Sequence, residues 1–234
     1  MIYDKEKIFN QISELLKAIP TDKLTDILYR KVDMEDWESI ETGRPHLEEG
    51  DNSVLSGEAS GYTKIVLFPK EEKDIVVKIP YRGMDLYQCD ESDGGFGFVK
   101  RKDFEGISSW DYCDREATLY MHACRWGVDR FFACTEYIGD ALGKIPIYAA
   151  ERCEEYKWDK VCRPTKVESL IKLSIPPDVA GVLSVQYETA DLHALVRFLR
   201  RFHVNDLHGG NWGVGGDGNL KIIDYAGYED GFSV

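Results

Sequence analysis

The 234-residue sequence contains no run of about 18 apolar residues, the length a helix needs to cross a bilayer. Its start, Met1-Ile2-Tyr3-Asp4-Lys5-Glu6-Lys7, lacks the basic-then-apolar order of a signal peptide. Positive charge is scarce as well: 29 Lys and Arg face 42 Asp and Glu, for a net charge of −13. The densest basic cluster, Lys100-Arg101-Lys102, is followed at once by an acidic residue. Nucleic acid and anionic membranes reward a basic surface, so neither is expected as a partner. The six cysteines, at 89, 113, 124, 134, 153 and 162, are separated by 24, 11, 10, 19 and 9 positions. No C-x-x-C pair exists, which argues against a zinc site or a redox dithiol and for free thiols in a reducing, cytoplasmic setting. Internal repeats and low-complexity tracts are absent too.

What is present is a globular composition, 43% hydrophobic and 30% charged, enough for a core in one domain or two lobes. Ile8, Ile12, Leu15, Leu16 and Ile19 recur at helical spacing over residues 4 to 18, and Pro20 ends that helix. Thr21 is expected to N-cap a second short helix carrying Leu24, Ile27 and Leu28, and residues 33 to 52 read as an acidic loop. The period then changes. Val54-Leu55, Thr63 to Phe68 and Asp74 to Ile79 predict three consecutive antiparallel strands. Residues 81 to 110 form a polar, glycine-rich insertion expected as a disordered segment or flap. A helix is predicted from Asp111 to Arg125, two strands at 131–138 and 145–150, and short helices at 165–173 and 178–186. The strongest periodic signal is Leu192, Leu195, Val196, Leu199 and Phe202, one buried face of a helix ending near His203.

Directly after that helix comes the segment with chemical content, His203-Val204-Asn205-Asp206-Leu207-His208-Gly209-Gly210-Asn211, followed by a hairpin that ends in Asp224-Tyr225-Ala226-Gly227. An Asp five residues before an Asn, with a second Asp closing a hairpin, suits phosphoryl transfer. One carboxylate accepts the proton of the attacking hydroxyl, while an amide oxygen and the second carboxylate hold Mg²⁺, which prefers hard oxygen ligands.

On these residues the chain resembles the protein-kinase-like superfamily. Asp206 and Asn211 match the H-R-D-L-x-x-x-N catalytic loop, with one extra residue between the His and the Asp, and Asp224-Tyr225-Ala226-Gly227 stands where D-F-G would, with one extra residue before the Gly. The loop is also similar to that of aminoglycoside, choline and fructosamine kinases, which act on small molecules. The resemblance implies an α+β, two-lobed fold. A helical extension would span 1–50, an antiparallel β lobe with one helix 51–153, and a short helical lobe 154–234.

The resemblance also assigns roles. Gly57, Ser60 and Gly61 would form a glycine-rich loop over the phosphates of ATP, although a hairpin turn also carries glycine. Lys78, in Val76-Val77-Lys78, would reach the phosphates, the alternative being an edge-strand lysine that discourages aggregation. Glu116 would hold that lysine, with Asp114 as competitor. The backbone of Glu151 and Cys153 would meet adenine, unless the strand simply runs out into a charged loop. Asp206 is the base, Asn211 and Asp224 the metal ligands, and His208 either a donor to the γ-phosphate or a loop-stabilising residue.

The expected function is therefore ATP- and Mg²⁺-dependent phosphate transfer to a hydroxyl of a protein or small molecule. A pseudokinase or nucleotide-binding regulatory module is the alternative. Ten residues follow Asp224. The activation segment and peptide platform of kinases that act on proteins are therefore not expected. A small substrate, an activating partner, or N-terminal helices packed under the second lobe could each compensate.

Overall fold

The computed structural model describes residues 3–28, 54–60, 63–81, 87–90, 97–100, 111–156 and 164–227. The chain divides into two compact units, one of residues 2–114 with 136–150, the other of 115–135 with 151–234.

In the first unit, α1 (Lys5–Ala18) opens at Asp4, whose carboxylate accepts from the Lys7 amide at 3.0 Å. That contact satisfies one of the orphan donors of a helix start. Ile8, Ile12 and Leu16 repeat every fourth residue and are at most 1% exposed. Each such side chain contributes about 1.5–3 kcal/mol by leaving water. The second helix, α2 (Thr21–Leu28), begins with Thr21 already inside it, one position later in role than the sequence predicts. The reason is that Pro20 supplies the first acceptor, its carbonyl taking the Leu24 amide at 2.8 Å.

Strands β1 (Leu55–Ser60), β2 (Lys64–Pro69) and β3 (Ile75–Pro80) pair antiparallel in sequence order, as the alternating runs predict. β1 extends through Gly57-Glu58-Ala59-Ser60, which the sequence reading assigns to a loop. Main-chain pairing with β2 prevails there, with an irregularity between Leu55 and Gly57. Two later strands, β6 (Thr135–Ala141) and β7 (Ile145–Glu151), complete a five-stranded sheet of order β1-β2-β3-β7-β6. β3 is therefore central and every one of its residues is buried. Within the expected insertion, β4 (Tyr87–Asp90) and β5 (Gly97–Lys100) pair as an antiparallel hairpin. This replaces the expectation of disorder for those eight positions with main-chain order.

Ile8, Ile12 and Leu16 of α1 and Leu24 and Leu28 of α2 share one core with Leu55, Ile65, Leu67, Ile75, Val77, Ile79, Ile145 and Ile147. The N-terminal helices are thus part of the sheet unit, which excludes the expectation that they stand in for helices of the second lobe. Gly139 marks how closely α1 approaches β6, since a Cβ there would lie 2.6 Å from the Phe9 ring. Tyr3 and Lys5 both engage the carboxylate of Glu136 nearby.

The second unit takes α3 (Tyr112–Trp126) from residue 115 onward, α4 (Pro177–Gln186), α5 (Thr189–Arg201) and a three-stranded sheet. Its strands are β8 (Glu154–Glu155), β9 (Trp212–Val214) and β10 (Leu220–Ile222), in the order β10-β9-β8. Leu192, Leu195, Val196 and Leu199, the predicted stripe of α5, are at most 4% exposed and pack with Leu183, Phe132 and Trp212. The predicted helix at 165–173 is only a 3₁₀ turn at Ile171–Leu173. The main chain there bonds mostly three residues back, Leu170 N to Val167 O and Leu173 N to Leu170 O each at 3.0 Å, while the Thr165 hydroxyl accepts from Val167 N at 3.2 Å and the Ser184 hydroxyl from Lys166 N at 2.9 Å. Among the described residues no helix is long and apolar enough to cross a membrane. Among the described residues, Cys113, Cys124, Cys134 and Cys153 form no disulfide.

Candidate functional site

In the second unit, the loop 203–211 is built on unusual backbone. His203 and Asp206 adopt positive φ, 48° and 60°. For residues other than glycine this conformation costs free energy and is kept only where the surroundings enforce it. The enforcing contacts are identifiable. The Asn211 side-chain amide donates to the Asp206 carbonyl at 2.6 Å, and Trp212 Nε1 donates to the Leu207 carbonyl at 3.1 Å. Trp212 is 2% exposed, so the indole anchors the loop from the core.

Two main-chain bonds then tie this loop to the segment after β10. Ile223 N donates to Asn211 O at 2.8 Å, and Asn205 N to Gly227 O at 2.8 Å. Asp206, Asn211 and Asp224 thus lie on two neighbouring segments held in fixed register. Gly227 fits this closeness: a Cβ there would lie 2.6 Å from Asn205 Oδ1, a buried oxygen with no hydrogen-bond partner among the described residues. The Asp206 side chain is 40% exposed while Asn211 is buried. Because the Asn211 amide nitrogen donates to Asp206, its side-chain oxygen is the atom that could serve as a ligand. An amide oxygen and the Asp224 carboxylate are donors that suit Mg²⁺. Among the described residues, no group of three or more His, Cys, Asp or Glu is arranged to hold a metal. The Asn211 and Asp224 pair contributes only one such residue.

His208 caps the 3₁₀ turn Gly209–Asn211, its Nδ1 accepting from Gly210 N at 3.1 Å. In the neutral ring the proton therefore sits on Nε2, which lies 3.6 Å from Asp206 Oδ1. The loop-stabilising role is thus realised, and it leaves Nε2–H as the donor that phosphate contact would need.

The Asp224-Tyr225-Ala226-Gly227 turn is braced from α3. Arg115, 6% exposed, donates from Nε to the Ala226 carbonyl at 3.1 Å. The Tyr225 hydroxyl donates to Ala133 O at 2.6 Å and lies 3.0 Å from Thr135 Oγ1. Full burial holds the Tyr225 phenol well above its ordinary range, and the nearby charge of Glu116 adds to the shift. Glu116 itself is 0% exposed, whereas the competing Asp114 is exposed. Lys78 is 5% exposed on the central strand β3, which removes the edge-strand alternative. Buried charges such as these persist only when compensated.

Glu151 does more than continue β7. Its carboxylate receives Lys221 Nζ at 2.7 and 3.0 Å, its amide donates to Cys134 O at 2.8 Å, and Lys221 also lies 3.3 Å from Asp217. Gly215 makes room for this cluster, since a Cβ there would lie 2.7 Å from both Glu151 Oε1 and Lys221 Cε. Cys153 leads into β8, which runs alongside β9. Gly57 lies within β1, where an added Cβ would meet only Phe68 at 3.9 Å, so nothing there demands glycine. Ser60 closes β1, and Gly61 lies outside the described residues. Arg115, Lys221 and Tyr225 are the site-bracing residues that the sequence reading misses. Only Lys221, between Leu220 and Ile222, carries a visible signal, a charged group set among apolar neighbours.

Comparison with protein-family models and with curated proteins finds no match.

Proposed function

We propose that the protein is an ATP- and Mg²⁺-dependent phosphotransferase of the protein-kinase-like type, with the γ-phosphate passing to a hydroxyl acceptor. The observation that carries the proposal is the registered pair of segments in the second unit. The Asn211 amide is locked to Asp206 and the Asn211 carbonyl to Ile223, so the base candidate and both metal-ligand candidates share one rigid framework. Pre-positioning of this kind is what phosphoryl transfer asks of a protein, because it proceeds mainly by orientation and charge neutralisation.

In this reading the Asp206 carboxylate accepts the acceptor's proton, and the Asn211 oxygen and Asp224 hold the metal. His208 Nε2–H supports a phosphate oxygen, Lys78 binds the α- and β-phosphates, and Glu116 holds Lys78. Mg²⁺, when bound, neutralises charge on the phosphates. The antiparallel order of β1, β2 and β3, the lysine on the third strand and a buried glutamate on the helix that follows all support the same reading. The Glu151 and Cys153 backbone would receive adenine. Similarity of the loop to small-molecule kinases favours a small hydroxyl compound, with a protein acceptor or an activating partner as the other option.

The test is ATP hydrolysis and autophosphorylation with Mg²⁺, comparing the wild-type protein with Asp206→Ala. Activity that survives the substitution refutes the assignment. Thermal stabilisation by Mg-ATP with no phosphate transfer would instead support a nucleotide-binding regulatory module.

A further inference from the structure

Asp224 to Gly227 belong to no helix or strand, so no regular ladder of main-chain bonds sets where the Asp224 carboxylate sits. Its neighbours are instead pinned one by one. On the N-terminal side, Ile223 N donates to Asn211 O at 2.8 Å. On the C-terminal side, three successive residues are tied to three different parts of the second unit. The Tyr225 hydroxyl donates to Ala133 O at 2.6 Å and lies 3.0 Å from Thr135 Oγ1. The Ala226 carbonyl accepts from Arg115 Nε at 3.1 Å, and the Gly227 carbonyl from Asn205 N at 2.8 Å.

Burial sharpens these ties. Arg115, Ala133, Thr135, Tyr225 and Ala226 are each at most 6% exposed, so their hydrogen bonds are shielded from competition with water. The Tyr225 ring already packs edge to face on Phe132, 5.2 Å between centroids, and that contact alone would keep the turn against the core. What the hydroxyl and the guanidinium add is direction. A packed ring can slide by a fraction of an ångström, whereas a metal ligand has to be held to within about 0.5 Å. Carrying a guanidinium into the interior costs free energy unless its donors are used, and here one of them is spent on the carbonyl two residues after Asp224.

We propose that Arg115 and Tyr225 are positioning residues that set the Asp224 carboxylate for its metal, acting through the main chain of the turn. The inference rests on the phosphotransferase reading, in which Asp224 is a metal ligand, and adds to it the two side chains that fix where that ligand stands.

The test is calorimetric titration of a non-hydrolysable ATP analogue into the full chain, once with Mg²⁺ and once with EDTA. Wild-type protein should bind more tightly with Mg²⁺, and Asp224→Ala should lose that gain. Tyr225→Phe, which removes one oxygen and keeps the ring, should weaken binding with Mg²⁺ by about tenfold, the scale for losing a group that orients a metal ligand. Arg115→Met should do the same. Affinity in EDTA should be unchanged, and raising Mg²⁺ should restore binding by both variants but not by Asp224→Ala. Variants that melt at lower temperature while both affinities match the wild type would assign the two residues to stability alone and overturn the proposal. An equal loss in EDTA would overturn it too, because the nucleotide pocket rather than the metal ligand would then be disturbed. If the wild type gains nothing from Mg²⁺, or Asp224→Ala keeps the gain, the reading of Asp224 itself fails and the proposal falls with it, an outcome distinct from the other two. If Arg115→Met impairs folding, Tyr225→Phe decides the matter.

Discussion

The two units hold their functional candidates by different means. Lys78 sits on a regular central strand, fixed by the apolar residues around it. Asp206, Asn211 and Asp224 sit on irregular chain, fixed by named hydrogen bonds and by positive φ at two residues that are not glycine. Position by packing tolerates changes of side-chain identity as long as volume is kept. Position by loop bonding depends on individual atoms. Chemistry that requires oxygens at fixed separations is thus assigned to the part of the chain where single contacts matter most.

Several substitutions test this contrast. Asp206→Asn keeps a residue that tolerates positive φ, so phosphate transfer should fall by about 10²–10⁴-fold, as for loss of a general base, with the melting temperature nearly unchanged. A large fall in melting temperature would mean that the carboxylate is structural. Leu67→Ala, in the fully buried core of the first unit, should cost about 2–5 kcal/mol in urea unfolding. Gly227→Ala should cost about 1–3 kcal/mol by overpacking against Asn205. Asn205→Ala in the same chain should restore much of that loss, a non-additivity that a double-mutant cycle would read. Glu151→Gln should cost about 1–3 kcal/mol, because Lys221 loses the nearer of its two charged partners and keeps only Asp217.

The smallest effect is expected from pH. Burial works to raise the Asp217 carboxyl, but the Asn219 amide and the Lys221 charge outweigh it and hold it below the usual 3.8. Its stabilising contribution is therefore complete above 3.8 and lost as pH falls through the lowered folded value. For Lys221, burial is outweighed by Glu151, so its pKa lies above 10.5 and its contribution disappears only as pH rises past that raised value. Asp217→Asn should flatten the acid limb of the stability curve and leave the alkaline limb in place.

Much of this organisation was legible in one dimension. The Leu192, Leu195, Val196 and Leu199 stripe of α5 and the alternation of β2 depend on local burial, and local burial leaves a period. The 206–211 spacing stood out in the sequence because the proposed chemistry would restrict the residue types at those positions. The segment expected as a helix at 165–173 bonds mostly three residues back instead of four, a difference that apolar spacing does not resolve. The run at 57–60 read as loop because glycine and serine report turn tendency, whereas pairing with β2 decides the outcome. The Glu151 to Lys221 contact spans 70 positions and has no local trace.

The docking of α1 has a consequence for synthesis. Its apolar face shares a core with Ile145, Ile147 and Ala149, and Phe9 lies against Gly139, residues made more than a hundred positions later. On the ribosome this helix emerges long before those partners exist. Closure of the first unit must wait for β6 and β7, a contact order that slows folding and prolongs exposure of Ile8, Ile12 and Leu16. The nascent chain is therefore most vulnerable to aggregation, and most dependent on chaperones, before about residue 150 has cleared the exit tunnel.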